Sequence, residues 1–383
     1  MKQTLPILLL FLLAGGNERL FGQQDGPHQM LRIYEDDDFI NIRGQGTDDA
    51  YTNGTRIDFF YTKKKTGRKL IDRLLPTAGD SSIDVFGWGA MEVMYTPDNI
   101  ADPDYQPNDY PWSGGLFATH TLYSYNPRKK YDLQTELVGG IMGPAALGKQ
   151  LQTSVHRLIK CQLPMGWSHQ FRDAPLLNIN FTAEKQLAAA GSFLEVIGGA
   201  QASAGTMLNG LAVYPLIRIG KMTPYFHGYL GQYSVTGTGQ TRRRGFQFYF
   251  IVRPEAELVI TNALLEGGVF TSNPNIAADK SNSKGGSAGG GAAGGTGTAG
   301  GNAGTGGNEG AGGSGAGNGG AGGAAQSDQP YHALNPMVYS ISYGAVLASG
   351  NVSVSFTQNS STAMMKGLYA HEVGNISLYF SWQ

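Results

Sequence analysis

The segment that decides the fold is IDVFGWGAMEV, residues 83–93, where apolar alternation with a period of two is clearest. A period of two puts successive side chains on opposite faces of a β-strand. The same alternation recurs in LNINFT (177–182), VSVSFT (352–357) and NISLYFSW (375–382). Large apolar side chains opposite small polar ones are typical of a wall between lipid and a polar lumen, as in a membrane β-barrel.

The N-terminal residues, MKQTLPILLLFLLAGGNERLFGQQ, indicate export. One lysine precedes the apolar run 5–14, which is too short to span a bilayer as a helix. We predict a signal peptide over residues 1–22, with a retained anchor helix as the alternative. Later in the sequence no run of about 18 apolar residues occurs, so no transmembrane helix is predicted. Export without a helical span leaves a soluble secreted protein, such as a β-sandwich, or a β-barrel.

The export signal, strands of about 10 residues and an aromatic-rich last strand favour the barrel. We predict an all-β, antiparallel outer-membrane barrel over residues 23–383, with about twelve strands. An even number of strands returns both termini to the periplasm, so the connection after every odd-numbered strand is extracellular. The predicted strands are 29–40, 50–62, 82–96, 113–126, 132–142, 173–187, 192–204, 210–219, 245–262, 333–347, 350–358 and 370–382.

Composition narrows the function further. The 28 basic and 29 acidic residues nearly balance, which does not indicate nucleic acid as a partner. The single cysteine, Cys161, excludes an intrachain disulfide and a multi-cysteine metal site, and we expect it to be a buried small hydrophobe. Residues 285–323 contain 22 glycines in 39 positions, too little apolar area to offset the entropy of ordering. We predict a disordered loop insertion there.

A short helix is predicted in the loop between the fifth and sixth strands. Residues 145–160 contain no proline and only one glycine, Gly148, and the preceding Pro144 suits the first turn of a helix. Gln152 and His156 are four residues apart and therefore share one face of this helix. By default, a histidine in a loop helix is a surface residue. Imidazole is nevertheless suited to proton transfer near neutral pH.

Two polar motifs lie at the ends of the first two strands. Residues 35–38 are four consecutive carboxylates, Glu-Asp-Asp-Asp, whose mutual repulsion a hard cation with oxygen ligands would relieve, Ca²⁺ more naturally than Zn²⁺. A solvated loop edge is the alternative. YTNG, residues 51–54, contains an Asn-Gly pair that would suggest a hairpin turn, but the run continues into a strand. By the strand count, both motifs and the helix meet at the extracellular rim.

In order and spacing, these motifs resemble the lipid A 3′-O-deacylase (LpxR-type) family of outer-membrane β-barrels. The similarity is strongest over residues 30–190. The motifs that carry it are the acidic cluster 35–38, YTNG (51–54), YTPDNI (95–100), DYPWSG (109–114), Gly143-Pro144, Gln-x-x-x-His at Gln152 and His156, and Gly166-Trp167. Two departures stand out. Asp36 occupies a position where asparagine is usual, and Ala101-Asp102-Pro103-Asp104 stands where some members place a Lys-Arg pair thought to meet lipid A phosphates.

The resemblance implies a carboxylic ester hydrolase that removes a 3′-linked acyloxyacyl group from lipid A. It implies His156 as the general base, with Gln152, Thr52 and Asp37 as further active-site residues. It also implies a divalent cation, most naturally Ca²⁺, bound through Asp36 and Asp37. The expected partners are lipopolysaccharide and outer-membrane lipids, and the expected oligomeric state is a monomer.

Two other functions stay open on the sequence. A Ser-His phospholipase of the outer membrane would need an activated serine, and Ser154 and Ser168 are nearest to His156 in sequence. A catalytically silent barrel, serving as porin, adhesin or scaffold, is the second alternative. The silent barrel predicts that His156→Ala leaves the lipid A of the cell unchanged.

Overall fold

The computed structural model describes residues 29–42, 50–63, 70–234, 245–268 and 332–382. The predicted signal peptide, residues 1–22, and the glycine-rich segment, residues 285–323, lie outside the described residues. Both therefore stay predictions.

Twelve antiparallel strands form a closed barrel in which each strand pairs with its neighbours in the chain and the first closes against the last. The predicted fold class and strand number are confirmed, and the predicted ends differ from the observed ones by a few residues. The strands are β1 (Gln29–Asp37), β2 (Ala50–Thr62), β3 (Ile83–Thr96), β4 (Ser113–Asn126), β5 (Tyr131–Met142), β6 (Ala174–Ala190), β7 (Leu194–Gly205), β8 (Leu208–Lys221), β9 (Phe246–Asn262), β10 (Met337–Ser349), β11 (Val352–Ser361) and β12 (His371–Trp382).

Short helices occupy the connections. The α-helices are α1 (Leu70–Leu74), α2 (Gly148–Ile159), α3 (Tyr229–Gln232) and α4 (Ala263–Glu266). The 3₁₀ helices are Asp38–Ile40, Pro144–Ala146, Trp167–His169 and Tyr225–His227. None of the described helices combines the length and the apolar character needed to cross a membrane.

The strand alternation separates an outer face from a lumen. On β2, Ile57 and Phe59 are 50% and 38% exposed, whereas Asp58 and Phe60 between and beside them are buried. The outward-facing positions of the other strands repeat this pattern with exposed leucine, isoleucine, valine and phenylalanine. An apolar outer band with a polar interior is the surface of a membrane-spanning barrel. We call the end where β1 stops the upper rim, and the end where Gln29 pairs with Trp382 the lower rim.

Apolar clusters pack inside the lumen near both rims. At the upper rim, Leu264 and Leu265 of α4 and Met365 pack against inward-facing Phe117 and Leu176. At the lower rim, the connection 222–234, which we call the lumen plug, packs inward. Its buried aromatic and apolar residues and their strand partners are Tyr225, Phe226, Tyr229, Leu230, Met30, Phe60, Val85, Tyr125, Ile197 and Tyr379.

Between the two clusters the lumen is charged and paired. Arg32 donates to Asp58 at 2.6 and 2.9 Å, and Arg56 donates to the other oxygen of Asp58 at 2.8 Å. Arg56 also forms a salt bridge with Glu136 on β5. The second terminal nitrogen of Arg32 donates to the hydroxyl of Tyr229 at 2.8 Å, which ties the lumen plug to the strand network. Ionic pairs of this kind are tolerated in an interior because each charge has its partner.

One expectation about burial is wrong. Cys161 lies just after α2 and is exposed, not buried. Helix α2 ends at Ile159, and Lys160 after it has a left-handed conformation with φ +58°. The break at Lys160 places Cys161 beyond the helix, so its side chain is not on the face of α2 that packs against the wall.

Candidate active site

The acidic motif places its two aspartates on opposite faces of the wall. Side chains of consecutive strand residues point to opposite faces, and on β1 the outward-facing residue Ile33 is 37% exposed. Asp37 lies four positions further along the strand, an even number, so its side chain faces outward as that of Ile33 does. Asp36 faces the lumen, where its carboxylate accepts hydrogen bonds from Tyr34 at 2.5 Å and from Asn375 at 2.9 Å.

Asp37 ends the strand and starts the turn that follows it. Its Oδ1 accepts a hydrogen bond from the backbone N–H of Phe39 at 2.7 Å and caps the 3₁₀ helix Asp38–Ile40. This is the local bond that aspartate makes at turns. The position of the Asp37 carboxylate at the upper rim is therefore fixed by its own backbone. Across the β1–β2 pair Asp37 lies opposite Asn53.

Thr52 reaches the outer face because β2 is irregular at this point. The pairing of β2 with β3 shifts register between Tyr51 and Asn53, which leaves Thr52 as the extra residue of a bulge. Its hydroxyl shares a 2.6 Å hydrogen bond with that of Thr96, the last residue of β3. Thr96 lies eight positions after Trp88 on β3, an even number. Trp88 is 49% exposed on the outer face, so Thr96 also points outward. Thr52 and Thr96 are themselves 3% and 0% exposed, so protein covers the outer face here.

Helix α2 provides part of that cover. It contacts β3 and β4, and its first residue, Gly148, sits over the outward-facing Gly114 and Met94. A Cβ added at Gly148 would lie 2.9 Å from Cη2 of Trp167, closer than side chains tolerate. Glycine is therefore required for the helix to approach the wall. The helix lies outside the barrel, not in the lumen.

The start of α2 is set by backbone conformations that few sequences adopt. Gly143 has φ +99° and leads into Pro144, the first residue of a 3₁₀ turn. A Cβ at Gly143 would meet the backbone between Arg172 and Asp173 at 2.6 Å. Leu147 then takes a left-handed conformation with φ +66° before α2 begins. The Gly-Pro pair seen in the sequence therefore turns the chain sharply from β5 onto the outer face.

Gln152 is held by a tryptophan from the same loop. It is 3% exposed, and its Oε1 accepts a 2.7 Å hydrogen bond from Nε1 of Trp167. The Trp167 ring packs on Trp112 with ring centroids 5.1 Å apart. Sequence reasoning noted Gly166-Trp167 only as a shared motif. The structure gives it a physical role, because the indole fixes the amide of Gln152.

His156 is buried on the same face of α2 as Gln152, at 7% exposure, which differs from the default expectation of a surface residue. Its Nδ1 hydrogen-bonds to the backbone carbonyl of Gln162. A carbonyl can only accept, so Nδ1 carries the proton and donates. In the neutral ring, Nε2 is then the basic atom.

The site residues are connected through one patch at the upper rim. Asp37 pairs with Asn53, which follows Thr52, and Thr52 bonds to Thr96 at the end of β3. Two residues before Thr96, Met94 touches the start of α2. Asp36 is the predicted site residue that the structure separates from this patch, because its carboxylate is on the lumen side. Within the described ranges, no three Asp, Glu, His or Cys side chains converge as a metal site.

A further acidic residue on the outer face was missed by sequence reasoning. Glu92 of β3 has the outward parity of Trp88 and is 7% exposed. It lies in register with Thr55 of β2, which in turn lies opposite Glu35 of β1. The available signal was that Glu92 stands on the same face of the segment 83–93 as Trp88.

A polar cavity of about 330 Å³ lies in the lumen, lined by Arg32, Tyr34, Asp36 and Arg56 among others. It is separated by the strand wall from Asp37, Thr52 and α2. Its two arginines are already paired with Asp58 and Glu136, and Asp36 accepts from Tyr34 and Asn375. The cavity is therefore part of the interior network and not of the candidate site.

The upper-rim loops are bound to one another. Tyr110, buried in the connection between β3 and β4, donates to the carbonyl of Tyr369 at 3.0 Å and accepts from the N–H of Met364 at 3.1 Å. Burial raises the pKa of the Tyr110 hydroxyl, so it keeps the proton that it donates. Tyr369 in turn donates to Asp109 at 2.7 Å. These bonds join the loop that carries Trp112 to the mouth of the barrel.

The serines considered for a Ser-His mechanism are placed differently. Ser154 is exposed and donates to the carbonyl of Gln150 at 2.7 Å, a bond within the helix. Ser168 is exposed in the short 3₁₀ helix Trp167–His169. Among the described residues, neither serine hydrogen-bonds to a histidine, as an activated nucleophile would.

Among solved structures, the chain is similar to LpxR from Salmonella typhimurium, with a TM-score of 0.62 and 16% identity over 92% of this chain and 100% of that one. At this identity the similarity shows the fold. The β-domain of the Bordetella autotransporter BrkA matches with a TM-score of 0.39, 8% identity and coverage of 94% and 100%. No curated protein sequence shows significant similarity to the chain.

The sequence profile of the family described as "Outer membrane protein LpxR" matches residues 5–298, well over half of the chain. This match agrees with the twelve-stranded barrel and its apolar outer band. The chain therefore belongs to the LpxR family of outer membrane proteins and resides in the outer membrane.

Proposed function

We propose that the chain is an outer-membrane hydrolase that removes a 3′-linked acyloxyacyl group from lipid A, with His156 as the general base. Family membership supports lipid A as the substrate, and the name of the similar Salmonella structure is that of the same family. The chemistry is ester hydrolysis by an activated water.

The observation that carries the proposal is the position of α2. A buried histidine and a buried glutamine face the outside of a barrel wall that otherwise meets lipid. A catalytic group in this position is within reach of a substrate that stays in the outer leaflet and approaches sideways. A lumen enzyme would need its substrate to leave the membrane first.

The hydrogen bonds of the site suit a base. The carbonyl of Gln162 holds the proton on Nδ1 of His156, so Nε2 can accept a proton from water while the water oxygen attacks the acyl carbon. The same proton then passes from Nε2 to the sugar oxygen as the ester bond breaks. Gln152, fixed by Trp167, would position neighbouring groups, and the hydroxyl of Thr52 would add a polar contact.

A divalent cation is part of the proposal, and the outer face offers oxygen donors of the kind that Ca²⁺ prefers. Asp37 would hold it, with the amide oxygen of Asn53 opposite in the sheet as a neutral ligand. Asp36 does not fit, because its carboxylate points into the lumen and already accepts from Tyr34 and Asn375. When bound, such a cation supplies positive charge that polarises an ester carbonyl.

The test is mass spectrometry of lipid A from cells that express the wild type, His156→Ala or His169→Ala. His169 lies in the same loop, is exposed, and bonds to the carbonyl of Pro103 at 3.0 Å, so it is a matched control. We expect the wild type and His169→Ala to release the acyloxyacyl mass. For His156→Ala we expect a rate roughly 10²–10⁴-fold lower, the usual contribution of a general base.

Three outcomes would contradict the proposal or one part of it. Lipid A that is unchanged by the wild type, in a host whose lipid A carries the 3′-acyloxyacyl group, would favour the silent barrel. Deacylation that survives His156→Ala would keep the hydrolase and remove His156 as its base. Deacylation that is insensitive to a chelator would contradict only the proposed role of a cation.

A further inference from the structure

An open groove crosses the outer face of strands β5–β10, away from the candidate site on β1–β4. Its volume is about 930 Å³, and its lining is almost entirely apolar. Val213 and Tyr339, which line it, are 58% and 55% exposed, so the groove is on the lipid-facing side. A row of outward-facing residues, in register from strand to strand, runs along it: Leu133, Ala183, Ala200, Val213, Ala256 and Tyr339.

Small side chains and two prolines give the groove its shape. Three of the six residues in the row are alanines, and the next row contributes Gly198 and Pro215. Pro254 of β9 stands opposite Pro215 of β8, and the pairing of the two strands is interrupted there. Proline has no N–H for the ladder, so it is rare in central strands. A costly departure of this kind indicates that the shape of the wall serves a function.

The groove has the length and slope of one lipid leaflet. Its row spans five strand spacings, about 24 Å. It starts near the lower end of β5, at Leu133, and reaches Tyr339 near the upper end of β10. With strands tilted by about 40°, the row climbs about 15 Å along the membrane normal, half of a hydrocarbon core of about 30 Å.

The lower end of the groove is basic. The ammonium group of Lys185, which lines the groove, donates to the carbonyl of Lys129 and lies 6.0 Å from the ring centre of Tyr131. The turn 128–130 has the sequence Arg-Lys-Lys, and its first two side chains are exposed. Among the described residues, no carboxylate forms a salt bridge with Arg128, Lys129 or Lys185. An apolar channel therefore ends in positive charge that the described part of the chain does not neutralise.

We propose that the groove binds an anionic diacyl glycerophospholipid of the periplasmic leaflet. One acyl chain lies in the groove, and the phosphate lies against Lys185 and the turn 128–130. An even number of strands puts both termini, and with them the lower rim, on the periplasmic side, so the basic end meets the headgroups of that leaflet. Basic side chains at a membrane surface attract anionic lipids.

A second copy of the chain fits this surface less well. In a two-fold symmetric dimer the same patch of both copies meets itself. Two concave grooves would then face each other and leave the space between them unfilled. A flexible acyl chain can follow the diagonal row and fill it.

The test measures lipid binding by the whole chain, purified in detergent and delipidated. Phosphatidylglycerol or phosphatidylcholine with identical acyl chains is added, native mass spectrometry counts the bound lipids, and thermal unfolding gives the rise in Tm. We expect the wild type to retain one phosphatidylglycerol and to retain phosphatidylcholine several-fold more weakly. Ala200→Phe fills the middle of the groove and should weaken retention of both lipids roughly tenfold, the usual cost of overpacking.

Ala204→Phe is the matched control for the groove. Ala204 lies on the same strand and the same outward face, is exposed, and does not line the groove. The same apolar side chain is thus added to the lipid-facing wall at both positions. Retention by Ala204→Phe should equal that of the wild type.

Lys185→Gln tests the headgroup contact. Affinity for phosphatidylglycerol should fall roughly fivefold, the contribution of one basic side chain at an anionic membrane surface. Affinity for phosphatidylcholine should not change. Lys221→Gln, which removes an exposed lysine at the lower end of β8 outside the groove, should leave both affinities unchanged.

Three results would overturn the inference: equal retention of the two lipids by the wild type, undiminished retention by folded Ala200→Phe, or a wild-type dimer that Ala200→Phe dissociates and Ala204→Phe does not. The last would assign the groove to a second copy. If Ala200→Phe does not fold, Lys185→Gln still decides, because its exposed side chain can be replaced without disturbing the wall. None of these measurements involves hydrolysis, so their outcome is independent of the proposed function.

Discussion

The lumen face and the outer face of the barrel wall differ in how their charged side chains are paired. In the lumen, the guanidinium groups of Arg32 and Arg56 bracket Asp58, and Arg56 reaches on to Glu136. On the outer face, the acidic row from Glu35 to Glu92 has neutral partners at one end and none within the described residues at the other. Strands β1 and β2 therefore take part in a closed network inside, which reaches β5, and in an open row outside, which reaches β3.

The difference indicates what each face contributes to the protein. A buried charge with its partner is tolerated, but it becomes costly when the partner is removed. The lumen network ties three strands and the lumen plug together, so it serves the fold. The outer row is less well satisfied than the fold alone would require, which is the property expected of a surface that completes its bonding with a substrate.

The largest expected effect is on stability, from the lumen. Arg56→Met would leave Glu136 with only a 3.4 Å hydrogen bond from Asn180 and would take one of the two cations from Asp58. We expect the free energy of unfolding to fall by about 3–5 kcal/mol, as for other buried pairs that lose one member. Guanidinium unfolding in detergent micelles measures it.

Arg172→Met is the control for this change, because Arg172 is an exposed arginine in the loop after α2. Its cost should stay within about 0.5 kcal/mol. Equal costs for the two variants would mean that the lumen network stabilises the fold no more than a surface charge does. The proposed difference between the two faces would then be wrong.

The next effect concerns the lumen plug. Tyr229→Phe removes the hydroxyl that accepts from Arg32 at 2.8 Å and keeps the ring, which packs on Phe60 with centroids 4.9 Å apart. We expect a loss of about 1.5–3 kcal/mol in the free energy of unfolding, the usual value of a hydrogen bond to a charged group. Tyr339→Phe, 55% exposed on the outer face, is the control and should be close to neutral. A neutral Tyr229→Phe would show that packing alone holds the plug.

Neighbouring aspartates on β1 allow the sharpest comparison of the two faces. Asp36→Asn disturbs a lumen carboxylate that accepts from Tyr34, Tyr51 and Asn375, so it should lower stability. Asp37→Asn should lower the rate of lipid A deacylation by roughly 10–100-fold, as expected for a residue that holds or orients an active-site ligand, and should leave stability nearly unchanged. Unfolding and deacylation measured on both variants would separate the two roles. The reverse assignment would place the site in the lumen cavity.

The alternation of side chains predicted the twelve strands, because the outer face of each strand repeats one physical requirement, and the export signal together with the aromatic-rich last strand favoured a barrel over a β-sandwich. The helix with Gln152 and His156 was also predicted, since a run without glycine or proline breaks is a local signal. The opposite facing of Asp36 and Asp37 follows from the strand period, but the register that decides which one faces outward does not.

Other features depend on contacts between distant residues. The bond from Trp167 to Gln152 joins two ends of one loop, and nothing in the local pattern around Trp167 indicates it. The lumen plug has no periodicity of its own, so no local pattern indicates that its aromatic residues pack inside the barrel. The bulge at Thr52 arises from pairing with β3, which a single strand does not reveal.

The smallest expected effect tests whether the outer site is held by its own loop. Trp167→Phe keeps an aromatic ring against Trp112 and removes only the N–H that Gln152 accepts at 2.7 Å. The net value of such a bond is about 1 kcal/mol, which corresponds to a roughly fivefold lower rate. The loss should appear in kcat and leave KM almost unchanged, because a positioning residue acts through Gln152 and does not touch the lipid.

A double-mutant cycle with Gln152→Leu decides between positioning and packing. If Trp167 acts only by orienting Gln152, Trp167→Phe should cost nothing further once Gln152 is leucine, since the acceptor is gone. Additive losses would mean that the indole supports the loop independently of Gln152. In that case the outer face would owe its geometry to the Trp112–Trp167 packing, and the hydrogen bond would be a consequence of the loop structure and not its cause.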